Sequence, residues 1–167
     1  MKGESSKTAG TARPYQTKIS FGISSAVITS LALITGLDTI GNPKSGIIGS
    51  ILVIALADNL SDSMGIHFFL ESEHVLGKEV WLSTLTNYLA RLGVSLSFIL
   101  LIALLPIGTA VACSIVWGFS ILAALSYAIQ HRRGKNPFYE ALVHIGLAAI
   151  VITGSHFAGS FLINRFK

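Results

Sequence analysis

Five apolar stretches, each long enough to cross a bilayer as a helix, constrain this chain more than any other feature in it. They cover residues 19–37, 47–70, 82–105, 109–130 and 141–163, and about 20 residues of helix span ~30 Å of hydrocarbon. The connections DTIGNPKSG, ESEHVLGKEV, PIG and HRRGKNPFYE are polar or turn-forming and too short to hold a second domain. Only 12% of the 167 residues are charged and 51% are hydrophobic, whereas a soluble domain carries about 25% charged residues. Mean hydropathy is +0.68, more apolar matter than a water-soluble core of this size can enclose. The expected fold is therefore all-α: a polytopic membrane protein in the lipid bilayer, with five transmembrane helices. Residues 1–18 are expected to form a flexible N-terminal tail and residues 19–167 a single five-helix domain. A soluble binding module is excluded.

The tail lacks the short apolar core and cleavage site of a signal peptide, so the first apolar stretch is expected to stay as a span. Cys113 is the one cysteine, and no intrachain disulfide shapes the fold. The net charge of +4 gathers in loops, which fits membrane topology and gives no nucleic-acid surface. With the N-terminus inside, the cytoplasmic side holds Lys2, Lys7, Arg13, Lys18, Lys78, Arg132, Arg133 and Lys135. The other side holds Lys44, Arg165 and Lys167, and Arg91 lies within the third span. That asymmetry orients the chain with its N-terminus cytoplasmic and its C-terminus outside. The host is an integral-membrane location, either a prokaryotic inner membrane or an organelle membrane.

The second span contains the anomaly: ALADNLSDSMGIHFFLESE puts Asp58 near its middle and Asp62 four residues nearer the cytoplasm. Residues i and i+4 share a helix face. A charge at the bilayer centre costs a few kcal/mol even on the lenient insertion scale, so such acids face a bundle interior or a wet cavity. Two on one face repel unless one keeps its proton, a cation sits between them, or a basic group pairs with them. The alternative reading is that both acids merely pair with Arg91 and help the helices pack, and Arg91 is within geometric reach of Asp62. Asn59 and Ser63 form an adjacent stripe suited to helix–helix hydrogen bonds.

Met64 has two readings. A lone methionine in an apolar helix is commonly space-filling, whereas a thioether beside carboxylates suits a softer divalent metal such as iron. Toward the cytoplasm His67, Glu71 and His74 fall at i, i+4 and i+7, with Glu73 and Glu79 nearby. If the helix continues, they make one stripe, and Glu71–His74 has the Glu-x-x-His spacing of di-iron bundles. The alternative is a solvated helix end. His144 and His156 are twelve residues apart, about 18 Å along a helix, so they cannot share a metal and read as helix-contact hydrogen-bonders. Ser24, Ser25, Thr29, Ser30 and Thr35 give the first span too many hydroxyls for a lipid-facing helix. It is expected to line a cavity with the second span or to pack tightly in a dimer. An aspartyl protease is disfavoured, since its dyad needs carboxylates about 3 Å apart and i, i+4 neighbours have Cβ atoms about 5–6 Å apart. No enzyme is expected.

FGISSAVITSLALITGL in the first span and LSDSMGIHFFLESE in the second resemble the first two helices of the vacuolar iron transporter family, with Ser63-Met64-Gly65 at that family's Ser-Met-Gly motif. LLP closing the third span and EALVHIGLAAIVITGSHFAGSFL in the fifth are compatible, so the resemblance covers residues 19–163. It implies a five-helix homodimer that exports ferrous iron or manganese from the cytoplasm in exchange for protons, with no tightly bound cofactor. It also implies a methionine ligand at Met64. Three departures stand out. The family's helix-one Asp-Gly falls on Ser25-Ala26, its glutamate falls on Leu56, and its long cytosolic insert is reduced to ESEHVLGKEV. At 1.5 Å per residue Ser25 and Met64 lie about 9 Å in, Asp62 about 12 Å and Asp58 about 18 Å, so the acidic group is displaced from helix one to helix two. The expected metal set is Asp58, Asp62 and Met64 inside the membrane, with His67, Glu71 and His74 at its cytoplasmic mouth. The alternative is a non-transporting scaffold or regulator on the same fold.

Overall fold

The computed structural model describes residues 14–133 and 137–166, with side chains for residues 20–131 and 138–166. Its elements are α1 (Pro14–Thr39), α2 (Lys44–Ser72), α3 (Gly77–Leu104), α4 (Ile107–Arg133) and α5 (Pro137–Phe166). All five are long and apolar enough to cross a membrane. Each begins two or more residues before the apolar stretch that marks it in the sequence, and all but α3 also end two or more residues beyond it. Residues 14–18, assigned to the tail by composition, are the first turn of α1, and residues 1–13 lie outside the described residues.

Proline placement explains where helices begin. The chain has four prolines: Pro14 and Pro137 occupy first helical positions, and Pro43 and Pro106 immediately precede α2 and α4. A proline costs nothing at the first turn, where its missing N–H would have had no partner anyway. The ends follow backbone rules too. Gly41, at φ 74, closes α1: its N–H donates to Asp38 O at 2.9 Å, and Asn42 N–H donates to Leu37 O at 3.0 Å. This is a Schellman ending, in which a left-handed residue lets the orphan carbonyls find donors. The same bonds close α2, from His74 N–H to Glu71 O and from Val75 N–H to Leu70 O. The left-handed residue there, at φ 56, is His74.

α1 is the axis of the bundle and packs against each of the other four helices, while α2 pairs with α3 and α4 with α5. In its most apolar window 39% of α1 is buried, against 6% of α5. The core joins Val27, Leu31 and Ile34 of α1 to Ile47, Ile51, Phe98, Ile102, Leu122 and Ala148. Outside, Leu56, Leu60, Phe68, Leu89, Leu100, Ile150 and Phe161 are exposed. Backbone pairing is internal to each helix and apolar side chains face outward, which is the arrangement a hydrocarbon solvent demands.

Candidate functional site: a charged seam between α2 and α3

The buried stripe of α2 is Ile47, Ile51, Ala55, Asn59, Ser63 and His67, closed by Leu70. It changes from apolar to polar halfway along. That of α3 runs Val80, Ser83, Thr84, Asn87, Arg91, Ser95, Phe98 and Ile102: after Val80 it is polar as far as Ser95 and apolar beyond. The two helices are consecutive and antiparallel, so polar half meets polar half and apolar half meets apolar half. The interface is thus a dry, greasy contact at one end and a polar seam at the other.

Arg91 anchors the seam. It is 0% exposed. Its Nε donates to Asn59 Oδ1 at 2.9 Å, and the Asn59 amide reaches Ser95 Oγ at 3.5 Å. Its Nη2 lies 2.7 Å from Asp62 Oδ2 and 3.5 Å from Asp58 Oδ2. The shorter contact is a charge contact whose angle does not make a hydrogen bond, and Nη1 has no partner among the described residues. The two carboxylates are not enclosed: the Asp58 and Asp62 side chains are 49% and 39% exposed on the outer flank of α2. Two carboxylates thus share one guanidinium in the middle of an apolar helix.

Nearer the end of α2, His67 is buried with Nδ1 3.1 Å from Thr84 Oγ1 and Nε2 3.3 Å from Glu71 Oε1. Thr84 donates its own hydrogen to Val80 O at 2.9 Å, so in this contact the histidine Nδ1 is the donor. The Trp81 ring packs edge-on at 4.5 Å between centroids. Glu71 is more than half exposed and forms the aqueous end of the seam.

Between these two bonded ends the polar groups are unmatched. His67 meets Thr84 and Asn59 meets Arg91, so antiparallel register sets Ser63 opposite the Asn87 turn. Ser63 Oγ and both amide atoms of Asn87 are buried without a hydrogen-bond partner among the described residues. Each such group costs about 1–3 kcal/mol if nothing satisfies it. Gly22 of α1 closes the seam from the third side, because a Cβ there would overlap Asn87 Oδ1.

The expected metal set is distributed unevenly over this geometry. Asp58 and Asp62 come together, but around Arg91. Met64 is half-buried and two residues beyond Asp62, about 200° round the helix, so thioether and carboxylate do not share a face. His67 and Glu71 touch. His74 occupies the left-handed turn after α2, so a helical stripe of three ends at Glu71. Among the described residues no group of three His, Cys, Asp or Glu side chains is placed to hold a metal ion.

The histidines of α5 are helix-contact groups. His144 Nδ1 lies 3.1 Å from Ser126 Oγ and 2.8 Å from Glu140 O, and His156 Nδ1 lies 2.9 Å from Thr39 Oγ1. Several α1 hydroxyls bond their own backbone, such as Ser24 to Phe21 O and Thr35 to Leu31 O, which explains how so many fit in one apolar helix. Thr84, Asn87 and Ser95 were not among the expected site residues. Their spacing of three and four around Arg91 is the signal that marks them. No family model and no curated protein matches the chain.

Proposed function

We propose that the protein is an integral membrane transporter that exports a divalent transition-metal cation, ferrous iron or manganese, from the cytoplasm in exchange for protons. The observation that supports this most is the pair of carboxylates, Asp58 and Asp62, half-exposed beside the single guanidinium of Arg91 at the middle of a helix otherwise fit for hydrocarbon. If both are ionised, they carry one negative charge more than Arg91 balances. Such a charge calls for a cation. The resemblance of α1 and α2 to the vacuolar iron transporters points the same way. Among the described residues one chain brings too few donors together, so the reading includes a homodimer in which the outer flank of α2 meets its copy and the carboxylates double. Glu71 and His74 would recruit metal at the cytoplasmic end. The orientation is N-terminus cytoplasmic and C-terminus outside, from the Lys and Arg asymmetry. Exchange of metal for protons limits net charge movement, which costs about 2.3 kcal/mol per charge per 100 mV.

A second reading has its own observation. Arg91 is fastened by Asn59 and faced by both acids, as a structural ion pair would be, and this favours a non-transporting scaffold or regulator. Proteoliposomes carrying an inward or outward pH gradient and external Mn2+ or Fe2+ separate the two. The transporter moves metal, and Asp58→Asn combined with Asp62→Asn stops it while the thermal midpoint shows the variant still folded. Metal flux in that variant equal to the parent's overturns the mechanism. Isothermal titration with Mn2+ adds a flux-free criterion, since a scaffold has no intramembrane site to titrate.

A further inference from the structure

We infer that Arg91 is a resident counter-ion that sets how tightly the Asp58–Asp62 pair takes an incoming cation, opposing it from the buried side so that what binds can also leave. This role rests on reading the two acids as a cation site, and it adds an affinity-setting residue to that site. The way the guanidinium is held points to it. A structural arginine pair grips its carboxylate with two parallel N–H···O bonds. Arg91 does not. Its Nε donates to the neutral amide of Asn59 at 2.9 Å, and neither Nη1 nor Nη2 has a hydrogen-bond partner among the described residues. The 2.7 Å approach of Nη2 to Asp62 is charge against charge without a directional bond, and the 3.5 Å approach to Asp58 is looser still. Asn59, itself buried, fastens the arginine; the acids only face it.

The two sides of the acid pair differ. Arg91 is fully buried and meets both acids through Oδ2 from the α3 side, whereas the acid side chains are half-exposed on the outer flank of α2. Among the described residues no other lysine or arginine contacts either acid. A cation arriving on the flank therefore finds carboxylates already partly engaged, with a fixed positive charge behind them. A guanidinium is not deprotonated in proteins, so the opposition is permanent, and it grows with the charge of the arriving ion. A dication and a guanidinium about 5 Å apart repel enough to weaken binding about tenfold even at the dielectric of water, and more in apolar surroundings. Passage across a membrane needs that moderation, since a site must bind well enough to load and weakly enough to release. Two carboxylates without Arg91 would hold a divalent ion too long.

Isothermal titration of Mn2+ into the full chain in lipid nanodiscs tests this role. Arg91→Gln removes the charge and is expected to bind Mn2+ at least about tenfold more tightly than the parent. Arg91→Lys restores the charge without the guanidinium, and with it the parent's weaker binding. Mn2+ binding by Arg91→Gln no tighter than the parent's overturns the inference. Equal tightening by glutamine and lysine does so too, because packing and not charge would then be the cause. If Arg91→Gln does not fold in the absence of metal, stability decides. Mn2+ bound between the acids supplies the missing positive charge and should raise that variant's thermal midpoint more than the parent's, and an equal or smaller rise sinks the proposal. Metal flux in the parent reads the transporter proposal separately. A parent that moves no metal, beside an Arg91→Gln variant that binds Mn2+ tightly, leaves the counter-ion role standing. A parent that transports, beside an Arg91→Gln variant that binds no more tightly, removes this role and leaves transport untouched.

Discussion

The α2–α3 contact and the α1–α5 contact solve the same problem with opposite means. Between α2 and α3 the helices are held by long polar side chains: Arg91 reaches from α3 to Asn59, Asp62 and Asp58. Between α1 and α5 they are held by the absence of side chains. A Cβ on Gly159 would come to 2.9 Å from Gly36 O and 3.0 Å from Thr39 Cβ. In lipid, water no longer drives apolar surfaces together, so helices associate through close packing of small residues or through hydrogen bonds. This molecule uses one device on each side of α1. The difference is instructive because the two fail differently: a close-packed contact loses stability when something is added, and a charged seam loses it when one partner is taken away.

Removing both carboxylates tests the seam hardest. Asp58→Ala with Asp62→Ala leaves Arg91 buried without a counter-charge and should lower unfolding free energy by about 3–5 kcal/mol, read by denaturant titration in bicelles. The half-exposure of both acids pulls the value toward the lower end. Adding Arg91→Leu to the same pair should recover most of the loss, because a buried ion pair replaced by apolar groups is often neutral. Without that recovery, the hydrogen bond to Asn59, and not charge balance, is what matters at Arg91.

Gly159→Val comes next. It forces α5 off the Gly36 carbonyl, with an expected loss of about 1–3 kcal/mol, the usual range for overpacking. A neutral result in the same titration means that α5 has slack to shift and that its contact with α1 is not close-packed.

The smallest effect belongs to the hydrogen bond beside it. Thr39→Val deletes the contact to His156, and interhelical bonds of this kind average about 0.6 kcal/mol. A loss well above that would show that the α1–α5 contact shares the polar character of the seam.

Much of the fold was legible because it rests on local rules. Turn chemistry in DTIGNPKSG placed Gly41 and Pro43 where a helix stops and another starts, and hydropathy located five helices. The site was less so. Pairing of both acids with Arg91 could be weighed from the sequence, but nothing in the order of residues decides between that pairing and a bound cation. The stripe of His67, Glu71 and His74 assumed a continuing helix. The chain turns at His74, and a non-glycine residue at positive φ is uncommon, though histidine is among those enriched there. A periodic pattern carries no mark of where the last turn ends when glycine does not end it.

The sequence by itself determined the apolar surroundings this protein is fit for, the number of its long helices, and the presence of two acids within one of them. Hydrophobicity and backbone preference are properties of single residues and short windows, so they survive without knowledge of neighbours. Only the tertiary structure decided who faces whom: α1 at the centre, Arg91 between Asn59 and the two aspartates, and Asn87 against Gly22. Those depend on helix rotation and register, in which a shift of one residue turns every side chain by about 100° and sends a charge from its partner into oil.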